Sequence, residues 1–234
     1  IDRYGALDMY IAGCNMLLRN DGSLRFTDVT GKSGLDRLEQ NISVYCPMLV
    51  DWDNDGQLDL VLASGGFDSF AFHNNGNFTF TDVTGSIGLD VYSIHGCNFG
   101  DLDGDGDLDF YASSWSQYEF KLLKNNQDDR NYLKVRVKGR KTNTNGIGAR
   151  VWVYDARGKG ADRKLRGYSE VLGGGGAMYT CPVLEQHFGV PDKGKYTVEV
   201  LFPVSGKRVT LSDVSAAQVL TVEEPSDGGE KQGK

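Results

Sequence analysis

Five aspartates alternate through Asp101-Leu102-Asp103-Gly104-Asp105-Gly106-Asp107-Leu108-Asp109. Two such carboxylates about 4 Å apart repel by about 4 kcal/mol at an effective dielectric of ~20, so the arrangement calls for a cation among them. The side chains of Asp101, Asp103, Asp105 and Asp109 can converge on one point if Gly106 lets the backbone turn sharply, and the carbonyl of Asp107 can add a fifth oxygen. Hard, anionic oxygen ligands in that number suit Ca²⁺. An EF-hand loop opens in the same way, but it carries a bidentate Glu at its twelfth position and lies between two helices. Here the twelfth position is Ala112, and Phe110-Tyr111-Ala112 continues the apolar alternation of Leu108, which reads as a β-strand. The loop therefore joins two strands.

The pattern recurs. Asp51-Trp52-Asp53-Asn54-Asp55-Gly56-Gln57-Leu58-Asp59 lies 50 residues upstream, with Leu62 at its twelfth position. A third, damaged copy runs from Asp2 to Tyr10, with Tyr4 where a ligand would be, and its role is expected to be structural. A second segment accompanies the loops: Leu18 to Thr30 and Phe72 to Thr84 are the same stretch displaced by 54 residues. Asn20-Asp21-Gly22 and Asn74-Asn75-Gly76 supply residues that tolerate positive φ between alternating apolar positions, the mark of a β-hairpin. Leu122-Leu123-Lys124-Asn125-Asn126 begins a further copy.

These elements assemble into one repeat unit: a strand ending at Val50 or Phe99, an aspartate loop, a strand to Ala63 in the earlier copy, and a hairpin. Four short strands with a period near 50 residues are the signature of a β-propeller blade. Propellers close with about four to eight blades. Residues 1–130 hold about two and a half, so the chain reads as the carboxy-terminal part of a longer protein with blades missing upstream. The composition agrees with an all-β fold: 31 glycines, 11 tyrosines and 11 phenylalanines in 234 residues favour many turns and strands. The sequence contains no apolar run near 18 residues, so membrane insertion of this segment is not expected.

Together, the aspartate loops, the Phe99-Gly100 that precedes one of them and the four-strand period resemble the FG-GAP or VCBS repeats of integrin α-subunit propellers and related secreted proteins. The resemblance covers roughly residues 1–128 and implies Ca²⁺ at the lower rim of the propeller. Carried over, it implies two calcium sites, one at Asp51, Asp53, Asp55 and Asp59 with the carbonyl of Gln57, the other at Asp101, Asp103, Asp105 and Asp109 with the carbonyl of Asp107.

The pattern changes after residue 130. Tyr132 to Val137 opens an alternating series that continues in Ala149 to Tyr154, Tyr196 to Phe202, Lys207 to Leu211 and Gln218 to Val222, which fits a compact β-sandwich over residues 131–224. Gly146-Ile147-Gly148-Ala149, the run Gly173 to Gly176, His187-Phe188-Gly189-Val190 and Phe202 to Lys207 stand in the order seen in the ASPIC/UnbV domain. That domain follows such repeats in the cartilage acidic protein family; Phe202 stands where a tryptophan is usual. Residues 225–234 are polar and glycine-rich, as in a flexible tail. The overall net charge of −7 hides an asymmetry: residues 1–130 hold 8 Lys+Arg against 21 Asp+Glu, net −13, and residues 131–224 hold 15 against 9, net +6. Docking of the sandwich by charge, or an anionic partner at Lys134, Arg136, Lys138, Arg140 and Lys141, would use that difference. Alternation along a strand favours a plain solvated face.

Other chemistry finds little support. His73, His95 and His187 lack zinc spacing, Gly173 to Gly176 lacks the lysine and serine of a phosphate loop, and no G-x-S-x-G elbow occurs, so no enzyme is expected. No basic groove with interleaved aromatics suggests nucleic acid. Cys14, Cys46, Cys97 and Cys181 allow three pairings; Cys46 and Cys97 precede successive loops and could bridge, or all could be free thiols. Asn41 and Asn77 head N-glycosylation sequons, with Asn77 at a hairpin turn. The expectation is an extracellular or cell-surface Ca²⁺-binding module for adhesion, matrix or assembly, with a protein or glycan partner. The alternatives are a lectin-like propeller, with Tyr92, Trp115 and Tyr118 as stacking candidates, and an accessory domain of a larger secreted protein.

Overall fold

Short apolar alternations separated by Asn-Gly and Asp-Gly turns give a chain that is almost wholly β. The computed structural model describes residues 7–36, 38, 43–89, 91–114, 119–127, 130–156, 163–174 and 183–226. The chain divides at Arg130 into two compact units.

Among the described residues, three antiparallel sheets make up the first unit. The second of them is the complete four-stranded repeat, in the order β4 (Val44–Val50), β5 (Asp59–Ser64), β6 (Phe70–Asn74) and β7 (Phe80–Asp82). The first sheet, β1 (Met9–Ile11), β2 (Met16–Asn20) and β3 (Phe26–Asp28), corresponds to its last three strands. The third, β8 (Ile94–Gly100), β9 (Asp109–Ser114) and β10 (Glu119–Leu123), corresponds to its first three. Both predicted hairpins form, with Gly22 at φ +88° and Gly76 at φ +81° in their turns. A single helical turn, α1 (Thr30–Ser33), follows β3 and stops at Gly34, whose φ is +82°. Sequence alternation gave no sign of it.

Strand β5 explains how the sheets stack. All six of its residues are buried, and successive side chains point to opposite faces. Leu60 and Leu62 pack with Leu17, Leu35 and Phe72 on one side. Val61 and Ala63 pack with Cys46, Ile94, Cys97 and Ala112 on the other. A strand clamped between two neighbouring sheets reads as a continuous apolar run, which is what residues 60–63 are.

The second unit is a sandwich of two sheets, β14 (Gln186–Gly189), β11 (Tyr132–Lys138) and β17 (Gln218–Glu223) facing β13 (Leu165–Glu170), β12 (Arg150–Asp155), β15 (Lys195–Leu201) and β16 (Arg208–Ser215). Leu133, Val135 and Val137 of β11 meet Val151, Val153, Val198 and Val200 in one core, together with Phe202, which is fully buried. Strands β11 and β17 run parallel, in contrast to every other pairing in this unit. The strand at residues 165–170 was not legible, because its six residues are all half-buried and show no alternation.

The basic face suggested for residues 134–141 needs correction. Lys134 is buried, with its ammonium 5.0 Å from the Tyr132 ring centroid. Arg136 pairs with Glu185, and Lys138 and Arg140 both pair with Glu223. Alternation along β11 places Lys134, Arg136 and Lys138 on one face, as read from the sequence, whereas Arg140 and Lys141 lie beyond the strand, and acidic residues of neighbouring segments neutralise most of the charge.

Candidate metal centres

The two aspartate loops are the hairpin connections β4–β5 and β8–β9. The last cross-strand pairs before them are Val50↔Asp59 and Gly100↔Asp109, so each loop is closed by its own final aspartate. In the first loop Asp51 works as the hub: its two carboxylate oxygens accept the amides of Asp55 at 3.1 Å and Gly56 at 3.0 Å. Gly56, at φ +86°, and Asn54, at φ +58°, make the bend that brings those amides inward. In the second loop Asp101 is the hub, accepting Gly104 at 2.7 Å, one residue earlier than in the first loop, and Gly106 at 3.1 Å, the glycines having φ +81° and +110°.

Carboxylate oxygens of Asp51, Asp53 and Asp59 lie within 4.8 Å of one another, as do those of Asp101, Asp103 and Asp109. Each trio could hold a divalent cation. Asp55 joins Asp53 and His73 in a further group within the same 4.8 Å, whereas Asp105 falls outside these groups; both are exposed, Asp55 accepting the Gln57 amide at 2.7 Å and Asp105 the Asp107 amide at 3.0 Å. The Gln57 side chain donates to Asp55 and to the carbonyl of Asn74. The carboxylate of Asp107 is buried and accepts from Asn54 of the other loop at 2.9 Å.

Electrostatically the two loops differ. Burial pushes the Asp51 carboxyl up to about 8, with the Asp55 and Asp53 charges adding to it and the Gly56 and Asp55 amides opposing. Burial likewise pushes Asp59 up to about 8, against the Asn74 amide and with the help of its acidic neighbours. Asp53 is raised by the same two causes, against the pull of His73. Asp59 is 0% exposed, and its Oδ2 has no hydrogen-bond partner in the structure. A buried carboxylate oxygen left without a donor is costly, and a bound cation would satisfy it. The residues therefore fit a hard divalent ion. In the second loop the Lys124 ammonium lies against Asp103 and 3.7 Å from Asp105, and its hydrogen bond holds the Asp103 carboxyl below the usual range.

The hairpin after each loop contributes residues that were not singled out from the sequence. The backbone amides of Asn20, Asn74 and Asn125 donate to Asp8, Asp59 and Asp109 at 2.9, 2.8 and 2.9 Å, so even the damaged copy keeps this tie. The residue before each asparagine is cationic or able to become so. His73 Nδ1 is 3.0 Å from Asp53 and 3.2 Å from Asp59, and Lys124 holds the same place in the next repeat. The signal was present in the repeat itself, where Arg19-Asn20, His73-Asn74 and Lys124-Asn125 align. The loops are also tied to each other. Besides the Asn54–Asp107 bond, Asn125 Nδ2 donates to the Trp52 carbonyl and Gln127 Nε2 to the Asp53 carbonyl, both at 2.7 Å.

Of the remaining candidates, Asn77 is exposed in its turn at φ +53°, whereas Asn41 lies outside the described residues, as do Asp2, Tyr4, Trp115, Tyr118 and Cys181. Tyr92 donates its hydroxyl to the Gly66 carbonyl at 2.6 Å. His187 stacks on Tyr132 with ring centroids 6.1 Å apart. Cys46 and Cys97 are both buried, with their sulfurs 2.9 Å apart.

Comparison with known protein families gives two matches. A model described as an FG-GAP-like repeat covers residues 51–112, which span both loops and the strands between them. One described as ASPIC and UnbV covers residues 139–228. No curated protein sequence is significantly similar to the chain. By fold, loop geometry and these matches, the chain carries an FG-GAP-like repeat followed by an ASPIC and UnbV domain.

Proposed function

We propose that the first unit binds two Ca²⁺ ions, one in each aspartate loop, and that the chain is part of an extracellular or cell-surface module for adhesion, matrix or assembly. The observation that carries the reading is Asp59: a fully buried carboxylate, one oxygen of which has no partner, beside Asp51 and Asp53. A bound Ca²⁺ supplies the positive charge and the oxygen coordination that this cluster lacks. The protein's own groups do the rest. The amides of residues 55, 56 and 74 aim the carboxylates, and Asn54, Asn125 and Gln127 lock one loop to the next. The metal's role is then structural, a fastening of blade to blade, and the chain is not an enzyme.

The extracellular setting is supported by the occurrence of FG-GAP repeats in surface and secreted proteins, and among the described residues no helix is long and apolar enough to cross a membrane. The lectin-like alternative gains no specific observation, because Tyr92 is engaged with Gly66 and most of the basic strand face is ion-paired.

Thermal unfolding of the chain in Ca²⁺ and in EDTA tests the proposal. Saturation at a hundred times the dissociation constant stabilises by about 2.7 kcal/mol per ion, so the first unit's midpoint rises by several degrees with Ca²⁺. Equal midpoints would end the proposal.

A further inference from the structure

We infer that Cys46 and Cys97 form a disulfide that joins two neighbouring blades. The argument starts from register. Opposite Val50 and Gly100 stand Asp59 and Asp109, so Val50 is equivalent to Gly100, and counting back makes Cys46 equivalent to Gly96 and Cys97 equivalent to Pro47. The two cysteines are therefore one residue out of step on equivalent strands. Successive strand residues point to opposite faces, and neighbouring blades meet front to back, so only residues out of step by an odd number can face each other across that contact. The offset is what two touching sulfurs require.

Local geometry holds the strands at this level. Each carries a bulge at the equivalent place, with Tyr45 as the extra residue of β4 directly before Cys46 and His95 as the extra residue of β8 two residues before Cys97. Those two equivalent residues meet edge to face, with ring centroids 5.2 Å apart. Directly beside them the Cys46 and Cys97 sulfurs approach to 2.9 Å, about 0.9 Å more than a disulfide bond length. Cys46 is 0% and Cys97 2% exposed, within the core shared by the second and third sheets. Cys14, by contrast, is exposed.

The oxidant is a disulfide, either a small-molecule disulfide such as oxidised glutathione or that of a thiol oxidoreductase. The thiolate of one cysteine attacks it, forming a mixed disulfide and releasing one thiol. The second cysteine then displaces the other half. Two S–H bonds are lost and one S–S bond forms, while the two electrons and two protons leave with the oxidant as two thiols. Because both sulfurs are buried, the exchange takes place while the blades are apart, and the bond is shielded from reductant once they close.

The test is to refold the full chain from denaturant in a mixed reduced and oxidised glutathione buffer, quench it with N-ethylmaleimide in denaturant, and map the unreduced peptides by mass spectrometry. The expected result is a linked peptide pair containing Cys46 and Cys97, with a mass 2 Da below that of the two free peptides together. The closed loop spans 52 residues, so the oxidised first unit melts about 10 °C above the reduced one. Maleimide on both Cys46 and Cys97, or a link from either to Cys14 or Cys181, overturns the inference. Cys14→Ser should leave the linked pair unchanged. The readout needs no metal, so it stands apart from the calcium reading.

Discussion

Asp59→Asn separates the buried charge from the rest of the first loop. The folded protein raises the Asp59 carboxyl from 3.8 to about 8 because burial disfavours its charge. A raised carboxyl binds its proton more tightly in the folded than in the unfolded chain. Its contribution to stability is therefore intact below about 4 and is lost as pH rises towards 8. At pH 7 the loss amounts to about 4 kcal/mol in the metal-free protein, from roughly three units at about 1.4 kcal/mol each. Asparagine keeps the shape and an oxygen for the Asn74 amide, which now bonds Asp59 Oδ1 at 2.8 Å, and removes the charge. In EDTA at pH 7 the variant should thus melt above the wild type, by up to about 10 °C. Raising the pH from 5 to 8 in EDTA should lower the wild-type midpoint steadily and the variant's by less, the remaining slope belonging to Asp51 and Asp53. With Ca²⁺ the order reverses, since the variant has lost a ligand and gains only what the second loop provides. A variant that melts below the wild type in EDTA and still gains the full Ca²⁺ increment refutes the reasoning.

Asn54→Gly tests the tie between the loops, since glycine tolerates the φ of +58° and is what the second loop carries as Gly104. It removes a buried hydrogen bond to the Asp107 carboxylate, worth about 1–3 kcal/mol, and a calorimetric Ca²⁺ titration should show both sites weakened rather than the first alone. Glu224→Gln addresses the sandwich. Burial raises the Glu224 carboxyl, but hydrogen bonds from Ser205, the Arg140 and Thr142 amides and the Thr142 hydroxyl outweigh it and hold the group at about 2. That stabilisation is present above the ordinary value of 4.5 and is lost as pH falls towards 2. The variant should cost the second unit about 2 kcal/mol at neutral pH, flatten its acid unfolding, and leave the Ca²⁺ response of the first unit unchanged.

What the sequence alone determined is what a few consecutive residues decide. The aspartates at alternate positions with Gly56 or Gly106 among them define the loops. The Asn-Gly turns define the hairpins, and the two-residue alternation defines most strands of both units, because turn conformation and strand periodicity are local properties of the backbone. The tertiary structure decided the rest through contacts between segments far apart in the chain. It set Asp59 at the start of a strand buried on both faces and thereby raised its carboxyl, while it left Asp55 exposed. His73 and Lys124 were brought into the carboxylate clusters from the following hairpins, and Asn54 of one loop was turned onto Asp107 of the next. Lys134 was buried beside Tyr132 although the alternation of its strand was read correctly. Periodicity fixes which face of a strand a residue takes, but what covers that face depends on the sheet packed against it. In this chain that distinction separates Asp55, a carboxylate in water, from Asp59, a buried one with an unpartnered oxygen.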